Sequence, residues 1–307
     1  MFAADLGGTH LRAAAVDGAG NIRCRLKQNT PDTEKPEGIV QALVQAVRDC
    51  EAQSPGNISA VSVAVPGTVN VEAGIVVKAP NVPGLDGFPL AAALSGELKK
   101  PALLENDANA AAVGEMWQGA ARDCSAIVCV TLGTGVGGGI ILDGKLWRGA
   151  DGSAGEIGHM SVDPFGGVAC PCGSFGCLEI FAAATAIVRM TREAQPQYPN
   201  SVLNKSENLT SEQVYCAGIQ GDQLALDVFH RMGAYLGIGL ANLINILNPE
   251  MIVIGGGVAN GWDLFAGPML EQVSARAFPL PAKRVRIVRA ACGDDAGLLG
   301  AARLALQ

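Results

Sequence analysis

The chain has 307 residues, of which 49% are hydrophobic and 17% charged, and its formal net charge is −7. That length supports one large domain or two moderate lobes with a sizeable core, and the composition excludes a disordered chain. The acidic balance and the lack of any Lys/Arg-rich run argue against a duplex nucleic-acid partner, which needs a basic face.

The opening MFAADLGGTH lacks the basic region and long apolar run of a signal peptide. Residues 1–28 read as three short strands: Phe2–Leu6 up to Gly7-Gly8, Leu11–Val16 up to a turn at Asp17-Gly18-Ala19-Gly20, and Ile22–Leu26. Gly38–Ala52 has helical spacing at Ile39, Leu43, Val47 and Cys50. Ile58–Val65 reads as a buried strand ended by Pro66-Gly67, and Leu103-Leu104 as a strand end before an Ala-rich helix over Asp107–Trp117. The pattern then restarts. Ala126–Leu132 is an apolar strand ended by Gly133-Thr134-Gly135, and Gly139–Leu142 is a strand turned by Asp143-Gly144. Leu178–Arg192, Gln223–Leu247, Asp263–Ala277 and Gly297–Leu306 read as helices, and Met251–Ile254 as a strand ended by Gly255-Gly256-Gly257.

A strand–Gly turn–strand–Asp/Gly turn unit thus occurs twice, at 2–26 and 126–147. Two similar α/β lobes with a cleft between them are expected. The boundary falls near residues 107–122, giving an N-terminal lobe over 1–110 and a C-terminal lobe over 111–295. The closing segment 296–307 is expected to return to the first lobe. The longest uncharged apolar stretch, Met232–Leu247, is shorter than the roughly 20 residues that span a bilayer and reads as a core helix, so no membrane partner is expected. Nine cysteines in a chain without a secretory signal argue against a disulfide framework and for a cytoplasmic protein.

Several motifs carry chemistry. In Asp5-Leu6-Gly7-Gly8-Thr9 a strand delivers an Asp to a Gly-rich turn. Backbone N–H groups of such a turn approach phosphate, the Thr hydroxyl adds a donor, and Asp5 can hold Mg²⁺; a plain hairpin turn is the alternative. Thr134 and Gly135 stand at the equivalent place in the second unit, and two such turns together favour phosphate binding. Neither is a Walker A loop, and no well-formed GxGxxG unit opens the chain. Gly255, Gly256 and Gly257 either let an adenine or ribose lie on the backbone or make a tight strand–helix turn. In Glu105-Asn106-Asp107, Asp107 is placed as a helix N-cap, or as a base accepting the proton of a sugar hydroxyl. His159 with Cys170, Cys172 and Cys177 matches a Cys₃His zinc site, the alternatives being free or redox-active thiols. Glu156 and Glu179 flank that loop and suit sugar hydroxyls, or are solvated surface.

The segments DLGGTHLRAAAVD, VAVPG at 63–67, APNVPG at 79–84, ENDANAAAVGE at 105–115, TLGTGVGGGI at 131–140, GEIGHM at 155–160 and CPCGSFGCLE at 170–179 resemble the ROK family of repressors, open reading frames and kinases. Their order covers almost the whole chain, and within the family the resemblance is to bacterial glucokinases. It implies an α/β actin-like, ribonuclease-H-like fold of two duplicated lobes closing on ATP and sugar. It implies Asp107 as the base acting on the 6-hydroxyl of a hexose, and sugar contacts from Gly67, Asn81, Asn106, Asp107, Glu156, His159 and Glu179. It implies structural zinc on His159, Cys170, Cys172 and Cys177, and a homodimer. His10 departs from the Lys or Asn common at that place, which bears on nucleotide affinity and donor preference.

Three alternatives stand within that resemblance. Sugar-responsive repressors of the family place a helix-turn-helix before DLGGT, and here that motif begins at residue 5. Kinases for N-acetylglucosamine, N-acetylmannosamine, mannose, allose or fructose use the same polar residues. A non-catalytic sugar sensor is disfavoured by an intact Asp107.

Overall fold

The computed structural model describes residues 1–33, 35–53 and 57–306. Gln307, the last residue of the expected returning segment, lies outside them. In chain order the elements are β1 (Phe2–Leu6), β2 (His10–Val16), β3 (Ile22–Asn29), α1 (Pro36–Gln53), β4 (Val61–Val65), β5 (Thr68–Asn70), β6 (Ile75–Lys78), α2 (Leu90–Leu98), β7 (Ala102–Asn106) and α3 (Asp107–Gln118). There follow β8 (Ile127–Leu132), β9 (Val136–Leu142), β10 (Lys145–Leu146), α4 (Glu179–Ala182), α5 (Ala184–Ala194), α6 (Ser211–Ile219), α7 (Gln223–Leu247), β11 (Met251–Gly255), α8 (Trp262–Arg276), α9 (Pro279–Arg284), β12 (Arg286–Arg289) and α10 (Ala296–Leu304). No helix among the described residues is long and apolar enough to cross a membrane.

The two five-stranded sheets share one plan. The first runs β3-β2-β1-β4-β7 and the second β10-β9-β8-β11-β12. In each, an antiparallel meander is extended by parallel strands: β1 pairs antiparallel with β2 and parallel with β4, and β11 pairs parallel with β12. Parallel neighbours put successive strand C-termini on one sheet edge, which is where ligands collect in open α/β sheets. β4 (Val61-Ser62-Val63-Ala64-Val65) is buried along its whole length, as befits a mostly apolar central parallel strand, with Ser62 its one polar residue.

The chain divides into two compact units. One comprises Met1–Cys129, Gly139–Gly155 and Ala290–Gln307; the other comprises Val130–Gly138 and Glu156–Arg289. In the first, α1 and α2 cover one face of the sheet through Ile39, Leu43, Val47, Leu90 and Leu94. The other face takes α10 through Leu298, Leu299, Ala301 and Ala302. α10 also lies directly against α3. A Cβ at Gly114 would strike the Ala296 carbonyl, and one at Gly300 the Ala110 carbonyl, so these two glycines permit backbone contact between the helices. The second unit is built around α7, which buries Met232, Leu236, Leu240 and Ile244 and meets α8 closely at Gly233 and Gly237, where a Cβ would strike the Phe265 and Met269 carbonyls.

Some expectations are corrected. The helix expected over Leu178–Arg192 is two helices. Ala183 is extended (φ −78°, ψ 163°), and the next N–H, of Ala184, leaves the helix to bond the Gly133 carbonyl at 2.8 Å. The N-cap of α3 is Asn106, not Asp107: the Asn106 side chain accepts the Asn109 N–H, and Asp107 is the first helical residue. The β5–β6 hairpin, α2, α6 and β12 add to the elements read from the sequence.

Candidate active site

In the first unit the candidate residues gather at the C-terminal ends of β1, β4 and β7. β1 carries Asp5 to a turn in which the Gly7 N–H bonds the His10 carbonyl at 2.9 Å. Thr30 ties the same turn from β3's end, its hydroxyl donating to the Gly7 carbonyl at 2.6 Å. Gly8 and Thr9 at the tip are exposed. A Cβ on Gly8 would sit 3.0 Å from Asn81, so the turn and Asn81 are neighbours. Asp5 is largely shielded. Burial raises its carboxyl above the ordinary range, the Arg12 guanidinium 3.4 Å away opposes that, and Asp294 adds to it.

Asp107 is held by its own helix start. Its Oδ1 accepts from the Ala108 N–H at 2.9 Å and from Asn106 Nδ2 at 3.0 Å. Asn106 Nδ2 also donates to the Gly67 carbonyl at 2.9 Å, while its Oδ1 caps α3. Gly67 has φ +100°, and a Cβ there would strike the Lys78 carbonyl, so the carbonyl that Asn106 uses depends on glycine at this position. Burial, then the negative charge of Asp5, pushes the Asp107 carboxyl up to about 6. A carboxylate with that value has the proton affinity a general base needs near neutral pH.

In the second unit Thr134 and Gly135 form the β8–β9 turn, closed by a Gly133 N–H to Gly135 carbonyl bond of 2.9 Å. Glu179, the first residue of α4, braces it: Oε2 accepts the Val136 N–H at 2.9 Å. Thr185 adds a bond to the Thr134 carbonyl at 3.0 Å. Gly255 ends β11 and Gly256 and Gly257 follow it, with Gly256 (φ +85°) set against the Leu132 backbone at the end of β8. The glycine turns of β8 and β11 therefore lie side by side.

His159 ends a single 3₁₀ turn that begins after Glu156. Its Nε2 lies 3.9 Å from Glu156 Oε2, and its Nδ1 lies 3.7 Å from Cys170 Sγ. Cys172 and Cys177 place their sulfurs 3.7 Å apart. The four potential ligand atoms of His159, Cys170, Cys172 and Cys177 all fall within 4.8 Å of one another. A tetrahedral site with Zn–S bonds near 2.3 Å has S···S edges of about 3.8 Å, so both the spacing and the donor chemistry fit zinc. The strand-like bridges Ser161–Cys177 and Ala169–Phe175 fold the loop back to bring the ligands together.

The structure thus brings Asp5, Gly7, Gly8, Thr9, Gly67, Asn81, Asn106 and Asp107 into one constellation. It brings Thr134, Gly135, Glu179 and Gly255–Gly257 into a second, and Glu156, His159 and the three cysteines into a third. Two residues that the sequence reading assigned no site role belong with the first: Glu105, 2% exposed, and Arg148, whose guanidinium lies 2.7 Å from it. A Glu in an otherwise apolar strand end was the available signal for Glu105; nothing local singles out Arg148.

Known proteins resemble the chain along nearly its whole length. The ROK family model matches residues 1–307. A glucokinase of Halalkalibacterium halodurans is 38% identical, the match covering 99% of this chain and 94% of that protein. A xylose repressor of Caldicellulosiruptor bescii is 32% identical over 88% of this chain and 68% of its own length. Among solved structures, a ROK family glucokinase from Streptomyces griseus in complex with glucose and AMPPNP superposes with a TM-score of 0.84 at 34% identity, covering 99% of this chain and 98% of that one.

Proposed function

From the premise that this chain belongs to the ROK family, and carries its actin-like, ribonuclease-H-like α/β fold, we propose that it is an ATP-dependent hexokinase that phosphorylates the 6-hydroxyl of glucose. The observation that carries the reading is Asp107, oriented by Asn106 and tuned to about 6 beside the Asp5–Thr9 turn. Asp107 accepts the 6-hydroxyl proton as that oxygen attacks the γ-phosphorus, and ADP leaves with the bridging oxygen's electrons. General-base help of this kind contributes roughly 10²–10⁴-fold, and positioning and charge neutralisation supply most of the remainder.

Gly67, Asn81, Asn106, Glu156, His159 and Glu179 contact the sugar in this reading. Gly7, Gly8, Thr9, Thr134 and Gly135 take the phosphates, and Gly255, Gly256 and Gly257 the nucleoside. Asp5 holds Mg²⁺, which supplies counter-charge to the phosphates. The mutual repulsion of Asp5 and Asp107 supports a cation here, since one beside Asp5 relieves it. His159, Cys170, Cys172 and Cys177 hold a structural zinc, which orders the loop that presents Glu156 and His159.

The protein is further proposed to be cytoplasmic, in keeping with its nine free cysteines. It is proposed to be a homodimer, for which Ile246, Phe278 and Leu280 offer exposed apolar surface on the second unit. The test is ADP release across glucose, N-acetylglucosamine, N-acetylmannosamine, mannose, allose and fructose, with ATP, GTP and polyphosphate as donors. Highest kcat/KM with glucose and ATP is expected. A tenfold preference for another sugar moves the substrate assignment, and no turnover with any sugar overturns the kinase.

A further inference from the structure

Glu105 stands next to the base without a part in the chemistry above. A carboxylate this deeply buried is destabilised by several kcal/mol unless it is paired and hydrogen-bonded. Arg148, 43 residues further along, provides the pairing: its Nε and Nη2 lie 2.8 and 2.7 Å from Oε2. The other oxygen, Oε1, accepts the Asn106 N–H at 3.1 Å and the Asn109 side-chain amide at 3.1 Å. Asn109 Oδ1 is buried without a partner among the described residues, so the Asn109 amide is oriented by Glu105 alone.

Asn106 then passes the constraint on, donating to Asp107 Oδ1 and to the Gly67 carbonyl. Hydrogen bonds therefore link Arg148 to Glu105 and Glu105 to the Asn106 backbone N–H, and the Asn106 side chain carries the link on to Asp107. The first link is a two-nitrogen contact on one carboxylate oxygen, charge-assisted and stronger than a neutral bond. Arg148 also stands at the head of the turn 148–154, where its carbonyl accepts the Ala154 N–H at 3.0 Å.

We infer that Arg148 is a positioning residue for phosphoryl transfer, fixing Glu105 and through it the Asn106–Asp107 pair. The inference rests on the assignment of Asp107 as the base. Arg148 is not in the apolar core; about a third of its side chain is exposed, at 35%. Its loss removes the cation from buried Glu105 and leaves Oε2 without a donor, so the carboxyl is held through Oε1 alone and the pair beyond it is anchored more loosely. Misplacement of a reacting group by about 1 Å costs on the order of 10²-fold in rate.

The test is kinetic. Arg148→Ala is expected to lower kcat about 10- to 100-fold while the sugar KM moves less than about threefold, the signature of an interaction made at the transition state. Added guanidinium ion is expected to restore part of that kcat, and Arg148→Lys to fall between, because lysine keeps the charge without the fork. The double variant Glu105→Gln/Arg148→Met removes the unpaired charge and is expected to recover activity relative to Arg148→Ala. Arg148→Ala with kcat within about twofold of the parent overturns the inference, as does a kcat loss that neither guanidinium nor the double variant relieves. Backbone hydrogen exchange of Asn106 and Asn109 without substrate gives a readout independent of turnover. It is expected to quicken in Arg148→Ala and slow again with guanidinium. A parent that turns over no hexose defeats the functional reading while exchange still decides the positioning.

Discussion

The two units hold their polar groups by different means. In the first, Asp5, Asn106 and Asp107 stand at or just past the ends of β1 and β7, beside the fully buried β4. Phe2, Ala3, Ala4, Leu6, Val63 and Val65 are all fully enclosed, and the site rests on them. In the second, the stretch from Glu156 to Cys177 has one 3₁₀ turn and two isolated bridges. Ile157 is its one buried residue that is neither cysteine nor glycine, while Phe165 and Phe175 face solvent. Apolar burial stabilises at about 25 cal/mol per Å², so a loop with this little core needs another source of order. Core backing and metal backing break under different treatments, which makes the contrast testable.

The largest expected effect is on the metal-backed side. A structural zinc in a small site contributes on the order of 10 kcal/mol at neutral pH. Fresh protein is expected to contain about one zinc per chain, measured by elemental analysis. Chelation, or Cys172→Ser, is expected to open residues 157–178 to proteolysis and abolish sugar binding, while hydrogen exchange in β1 and β7 stays unchanged. Metal-free fresh protein with a protected loop removes the basis for the contrast.

Next in size is the core-backed base. Asp107→Asn is expected to lower kcat by roughly 10²–10⁴-fold while sugar binding, followed by calorimetry, persists. The same change is expected to stabilise the protein. The Asp107 carboxyl rises from 3.8 to about 6 on folding, so between those values the folded state binds the extra proton. Stability therefore falls as pH rises through that window, and the full penalty, about 3 kcal/mol, is present above pH 6 and absent below pH 4. Urea melts of parent and variant should differ at pH 8 and converge at pH 4. A difference independent of pH removes the burial argument. The rate of the parent carries the same number. kcat/KM should fall as pH drops through about 6, because a protonated Asp107 cannot accept the hydroxyl proton.

Legibility in the sequence follows the same division. Strand–Gly turn units are readable because apolar runs end at glycines, and β1, β2 and β8 lie where those runs place them, within one residue, while β9 begins at Val136, three residues before the expected Gly139. The break at Ala183 is not readable, since alanine favours helix and the Gly133 carbonyl that captures the Ala184 N–H is distant in sequence. The choice of Asn106 over Asp107 as N-cap is likewise invisible locally, because both residue types cap well. The pairing of β7 with β4 through Val65↔Asn106 decides it by keeping Asn106 in the strand. Glu105 reads as a strand-end acid, and the partner that makes its burial tolerable sits far along the chain at Arg148. Long-range polar pairings of this kind leave no periodic trace.

The smallest expected effect separates the two tasks of Asn106. Its Oδ1 caps α3, and its Nδ2 holds Asp107 and the Gly67 carbonyl. Asn106→Ala loses both and is expected to cost about 1 kcal/mol for the cap alone. Asn106→Asp keeps the capping oxygen, so less stability is lost through α3. It removes both donors, however, and sets a second carboxylate against Asp107, which opposes ionisation of the base. The acid limb of its rate profile should move above that of the parent, whereas Asn106→Ala should shift it less, having lost a donor without gaining a charge. If both variants titrate as the parent does, the Ala108 N–H alone orients the base. Core backing would then extend only to the helix start, and not through the Asn106 side chain to β4.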